Sequence, residues 1–177
     1  MVSGPMDYEP GFYNNANQKS FRPLPDMVMS QGTRTHQLAM FVAYESPVQM
    51  FSGNPSDAYP EIGFTTYLAS LPTTWDDIRV LDAKLGDYLV VARRKDNDWY
   101  LAAMTDWTAR EITVSLSFLA DGKYRALSCE DGINAAKNAS DYQMGYRMID
   151  NSGHLELKMA PGGGYVVKLI KLDDARP

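Results

Sequence analysis

A single cysteine, Cys129, stands in 177 residues. No intrachain disulfide can form, and the compartment cannot be read from sulfur chemistry. Histidine is as scarce: His36 and His154 lie far apart, and neither has metal-ligand spacing to the other or to Cys129. Basic charge is also short. The net charge is −5, so nothing favours a nucleic-acid backbone or an anionic membrane. No apolar run approaches the roughly 20 residues of a membrane-spanning helix. Met1 to Gly11 has neither the basic nor the apolar part of a signal peptide. G-x-S-x-G is absent, so an elbow-type serine hydrolase has no support.

What is present is ordinary for a globular protein: 45% hydrophobic residues and 22% charged, which argues against disorder. Three Trp and eleven Tyr suit a β-rich core or a sugar-contacting surface. Texture changes along the chain. Up to about Pro72 it is rich in Pro, Met and Asn, with one apolar block, Leu38 to Tyr44. That block predicts burial on every face and a helix over 35–46, capped near Thr33 or Thr35. Val48 to Phe51 reads as a strand, and 58–71 as a second helix capped by Ser56 or Asp57 and ended by Pro72. One strand between two helices is a piece of an α/β pattern and cannot make a sheet alone.

From about Trp75 onward the pattern is different. Strands are expected at 78–80, 88–92, 99–105, 112–118, 124–129, 145–150, 155–159 and 165–172. Ile112, Val114, Leu116 and Phe118 alternate with Thr113, Ser115 and Ser117, which gives one dry face and one wet face. A turn is expected at Lys95 to Asp98 and a loop with a helical turn at 131–142. Seven or eight short strands at regular spacing indicate an antiparallel sandwich.

The candidate chemistry is thin. Asp7 and Glu9 sit two apart in a Gly/Pro loop. They fit a glycosidase cleft, where two carboxyls flank the bond, or equally an ordinary polar loop. Glu45 closes the apolar block, facing a cleft, solvent or a partner. Arg93, Arg94 and Lys95 read as a solvated strand end, and Asp173-Asp174 as a solvated terminus. Gly162 to Gly164 opens a strand without a following Lys-Ser, so it reads as a flexible turn and not a phosphate loop. Trp75, Trp99, Tyr100 and Trp107 are candidates for a sugar-stacking platform or for core packing. Trp99 and Tyr100 must point to opposite faces of a strand, so at most one of that pair can join a platform. No catalytic set is complete.

Several separate stretches resemble glycoside hydrolase family 97: GPMDYEPG at 4–11, THQLAMFVAYESPVQMFSGNPSDAY at 35–59, TTWDDIRVLDAKLGDYLVVARRKDNDWYLAAMTDW at 73–107 and MAPGGGYVVKL at 159–169. The resemblance spans nearly the whole chain. It implies a mainly β fold: residues 1–72 as the end of a (β/α)8 catalytic barrel, and residues 73–177 as a C-terminal antiparallel β-sandwich for support and oligomerisation. It further implies an α-glucosidase or α-galactosidase acting on α-linked oligosaccharide, periplasmic or secreted, with Ca2+ in the full-length enzyme. The family's catalytic glutamates and calcium ligands fall upstream of GPMDY and have no counterpart among these residues. On this resemblance Met1 is a start inside a larger enzyme, and Asp7 and Tyr8 lie on the active-site rim with no catalytic role. The expected partners are the rest of the barrel or another copy of the chain. The alternative is a sugar-binding β-sandwich module. The apolar helix, deprived of most of a barrel, is expected to fold back on the β-domain or to be buried between chains.

Overall fold

The structure, a computed structural model, describes residues 4, 5, 7–10 and 13–172. Asp173 and Asp174, like Met6 and Gly11 of the GPMDYEPG stretch, lie outside the described residues.

The chain enters through a two-residue parallel pair, β1 (Asn15–Ala16) with β2 (Ser30–Gln31), which the sequence does not announce. Helix α1 follows at Arg34–Ala43. The Thr33 hydroxyl caps it by accepting from the His36 amide at 3.0 Å. It ends three residues before the expected Ser46 because Tyr44 turns to extended backbone at φ −84° and ψ 146°. Its burial is not uniform. Leu38, Ala39, Phe41, Val42 and Ala43 are buried, while Met40 is half-buried and Tyr44 exposed.

The strand expected at 48–51 is not there. One isolated parallel bridge, Tyr8 with Gln49, is all that forms. A strand exists only as part of a ladder, and no described neighbour offers this segment more than that single rung. The helix expected at 58–71 is also divided. A 3-10 segment at Pro55–Glu61 precedes α2 at Ile62–Ala69. Pro60 lies inside the first piece, where it lacks an amide and obstructs α-helical continuation. The cap is Asn54, whose side chain accepts from the Ser56 amide, and not Ser56 or Asp57.

Eight antiparallel strands make up the rest, as the spacing predicts: β3 (Asp77–Lys84), β4 (Tyr88–Lys95), β5 (Asp98–Thr105), β6 (Arg110–Ser115), β7 (Tyr124–Asp131), β8 (Tyr142–Ile149), β9 (His154–Met159) and β10 (Gly164–Lys171). Six form one sheet in the order β3-β4-β5-β10-β7-β8, and β6 pairs with β9 in a second. The β4–β5 hairpin turns at Asp96, whose φ of 53° is the left-handed conformation that a tight hairpin needs. The 131–142 loop carries turns and no helix.

The six-stranded sheet is covered on both faces. On one, β6 and β9 close a core around Val90, Leu101, Leu157, Val167 and Leu169. On the other, α1 and α2 close a second core that mixes Leu38, Phe41 and Phe64 with Tyr100, Cys129 and Val166 of the sheet. The helices therefore fold back on the β-domain. Alternation along β5 sorts the aromatic pair as expected, with Trp99 in the first core and Tyr100 in the second.

The triple glycine is not a flexible turn. Gly162 has φ +66°, and the Trp107 ring lies so close that an added Cβ would meet it at 2.3 Å. A Cβ on Gly164 would sit 2.7 Å from the His36 Cα of α1. These glycines let the β10 end approach a helix backbone, which no side chain would allow.

Candidate functional site

The carboxylate loop does not assemble an active site. The Tyr8 hydroxyl donates to the Met40 carbonyl at 3.1 Å and accepts from Gln49 Nε2 at 2.9 Å. Its ring meets Tyr44 edge-on at 5.3 Å, and burial pushes the phenol up to about 12. These contacts fasten Tyr8 to α1. Asp7, Glu9 and Glu45 are exposed. Among the described residues no group of three His, Cys, Asp or Glu could hold a metal ion.

The developed site is the seam between helices and sheet, where the β-domain supplies what the helices lack. Neither α1 nor α2 has a basic residue in its last turn. The helix C-terminus carries unsatisfied carbonyls and partial negative charge, so a cation there is stabilising. Arg93 of β4 donates to the Ala43 carbonyl at the end of α1 at 3.0 Å. Lys168 of β10 donates to the Tyr67 carbonyl at 3.0 Å and to the Ser70 hydroxyl at the end of α2. Its ammonium also lies 3.9 Å from the Tyr67 ring centre. Both side chains are buried, and burial pushes the Lys168 ammonium down to about 8. Register places them together, because Tyr100 is the cross-strand partner of Arg93 on one side and of Lys168 on the other. The reading of Arg93 as part of a solvated strand end is thus corrected: it is 4% exposed, on the helix-facing side of the sheet.

The opposite end of α1 is served the same way. The Thr33 amide donates to the Gly162 carbonyl at 2.9 Å and the Arg34 amide to the Ala139 carbonyl at 2.8 Å. These are donors that a helix start cannot satisfy internally. Asp131, at the end of β7, accepts from the Ala160 amide at 2.9 Å and the Gly164 amide at 3.2 Å, and the Thr33 and Thr35 hydroxyls face it. Burial nevertheless wins and pushes its carboxyl up to about 6. His36 Nδ1 lies 3.0 Å from the Gly163 carbonyl, and burial holds its imidazole below the ordinary value. Cys129 is buried, its thiol pushed up to about 12, so it packs as a small apolar residue and is no nucleophile.

Arg34 ties four elements together. Its guanidinium donates to Glu61 Oε1 at 2.5 Å, to the Tyr13 carbonyl at 2.5 Å and to Asn15 Oδ1 at 3.1 Å. The Tyr142 hydroxyl of β8 donates to the other Glu61 oxygen at 2.8 Å. Arg34, Arg93, Asp131 and Lys168 went unrecognised in the sequence as site residues. The signal for Lys168 was a lone cation in the apolar run YVVKLI; for Arg93 it was its parity with Val91. No platform of stacking aromatics forms among Trp75, Trp99 and Tyr100. Trp99 is buried, and Trp75 meets Tyr100 edge-on at 5.3 Å.

Residues 74–170 match the family described as glycosyl-hydrolase 97 C-terminal, oligomerisation. The chain belongs to glycoside hydrolase family 97. A retaining alpha-galactosidase of Bacteroides thetaiotaomicron is 45% identical over 168 residues, which is 95% of this chain and 25% of that protein. A probable retaining alpha-galactosidase of Streptomyces bingchenggensis is 29% identical over 65% of this chain and 16% of its own length. A family 97 enzyme from a Pseudoalteromonas species, solved in complex with panose, superposes with a TM-score of 0.86 at 33% identity. That match covers 97% of this chain and 27% of the other. The family 97 chain thus spans about a quarter of the length of the Bacteroides and Pseudoalteromonas proteins. Its β-domain corresponds to the family's C-terminal oligomerisation region.

Proposed function

We propose that this chain is the C-terminal part of an α-glycosidase in which residues 73–177 support the final segment of a catalytic barrel represented by residues 1–72. The observation that carries this reading is the charge arrangement at the seam. A free-standing sandwich has no use for Arg93 and Lys168 buried on one sheet face. Here each ends on the C-terminus of a helix from the preceding segment. The sheet thereby fixes the place and direction of two helices, and in a barrel, helix position sets strand and loop position.

The parent activity on this reading is hydrolysis of an α-galactoside, the named activity of the 45% identical relative. Paired carboxylates of the upstream barrel carry it, in a periplasmic or secreted enzyme. Asp7 and Tyr8 lie on the rim of that site, with Tyr8 held by Met40 and Gln49. The ligands of the calcium that the resemblance implies would lie in that upstream barrel, and among the described residues no group of His, Cys, Asp and Glu could hold it. The role of the chain itself is structural.

The test is an activity assay on the purified 177-residue chain with aryl α-galactoside and α-glucoside. No turnover is expected. Adding a separately produced upstream barrel should restore it. Turnover by the chain alone would overturn the reading.

A further inference from the structure

The two edges of the six-stranded sheet are built differently. β3 carries Asp77, Arg79, Asp82 and Lys84, and its register shifts by a bulge between Val80 and Asp82. Its Asp77 and Arg79 pair at 3.6 Å, and Lys84 reaches Asp87 at 2.7 Å. Charge and bulging are the devices that stop an edge from pairing with another chain. β8 has neither. It pairs with β7 in unbroken register over eight residues and carries one charge, Arg147. Its outer backbone edge is a ready template for another strand.

Its side chains point the same way. Tyr146 is 78% exposed, and Met144 and Met148 are exposed beside it. Met144 opposes Cys129 and Tyr146 opposes Leu127, so all three lie on the helix-facing side, beyond the reach of α2. Large adaptable apolar side chains beside an unprotected edge mark a contact surface.

We infer that β8 is the surface through which two copies of this chain associate, by antiparallel pairing about a two-fold axis at Tyr146. The strand complements itself in that register. Met144 faces the partner's Met148, and Gln143 faces the partner's Ile149. Arg147 faces the partner's Gly145, which leaves it room. No like charges are opposed, and the self-symmetric contact satisfies the isologous rule for a closed dimer. Charge selects this edge too: the chain carries a net −5, and β8 is a stretch with no acidic residue. The match to a family region described by oligomerisation makes a second copy the occupant of choice. The inference goes beyond the proposed support role and does not rest on it.

Light scattering on the intact 177-residue chain across a concentration series should show a dimer. Tyr146→Lys with Met148→Lys should give a monomer with an unchanged far-ultraviolet spectrum and a melting temperature within a few degrees. Val80→Lys on the opposite edge should leave the dimer intact. Tyr146→Cys should cross-link to itself under mild oxidation, because the axis brings the two copies of that residue together while Cys129 stays buried. A monomer at every concentration, a dimer that survives the double substitution, or no cross-link would overturn the inference. So would a double variant that loses only its association with a separately produced upstream barrel, since the patch would then belong to that contact. Turnover is measured independently, so failure of this inference and failure of the support reading are distinguishable.

Discussion

The two faces of the large sheet are organised on different principles. The first core is drawn entirely from the β-domain, between Leu81 and Leu169, and apolar side chains build it. The second is shared: α1 and α2 provide much of it, and the sheet contributes Arg93 and Lys168 as well as apolar groups. A core formed within one domain needs only burial, which is non-directional. A seam between two segments must also specify position. Hydrogen bonds to helix ends do that, because each allows one distance and one direction.

If this comparison is right, substitutions on the two faces should differ in kind as well as in size. The largest effect should come from the first core. Leu157→Ala removes a fully buried side chain and should cost about 2–5 kcal/mol, read as a single cooperative loss in urea unfolding that includes the helices. Survival of the sheet with loss of the helices alone would break the comparison.

Gly164→Ala tests the seam. Its methyl would meet the α1 backbone, which cannot move without leaving the Gly162 and Ala139 carbonyls. A cost of about 1–3 kcal/mol is expected. Amide exchange should accelerate in α1 and β2 while β5 and β7 keep their protection.

Asp131 should make the seam sensitive to pH. Its carboxyl is raised in the fold from 3.8 to about 6, so between these values the folded chain holds a proton that the unfolded chain has lost. Stability should therefore fall as pH rises from about 4 to 6, on the order of 2–3 kcal/mol in all from this group. Asp131→Asn keeps an acceptor for the Ala160 and Gly164 amides and should remove that slope. A slope unchanged in Asp131→Asn would assign it elsewhere.

The smallest effect should be that of Lys168→Met. The ammonium makes good contacts, but its depressed pKa shows that burial already costs it much of what they return. An apolar chain of similar length should change stability by less than about 1 kcal/mol. The sharper readout is local: exchange at the α2 C-terminus should rise without a change in the melting midpoint.

The eight strands were legible because each carries its own evidence. Alternation at 112–118 and 155–159 records a buried face, and turn residues at Lys95 to Asp98 record the reversal. Helix α1 was legible in LAMFVAY, since a long apolar run demands burial whatever covers it. Tyr8 and Asp7 could be placed in a loop by Gly and Pro alone. The parallel pair of Asn15–Ala16 with Ser30–Gln31 was not visible, because two residues on each side are too few to show a periodic pattern.

The sequence by itself determined the β-rich class, the strand spacing, the resemblance to family 97 and the opposite placement of Trp99 and Tyr100. These depend on local periodicity and on residue types, which neighbours in the chain settle among themselves. Only the tertiary structure decided that Val48 to Phe51 forms no strand, that Arg93 and Lys168 serve two helix ends, and that Gly162 to Gly164 is a close approach and not a flexible turn. Each of these depends on partners far away in the chain: Ala43 is 50 residues from Arg93, and Tyr67 is 101 residues from Lys168. A ladder needs a second strand and a buried cation needs an acceptor. Neither is a property of the segment in which the residue is written.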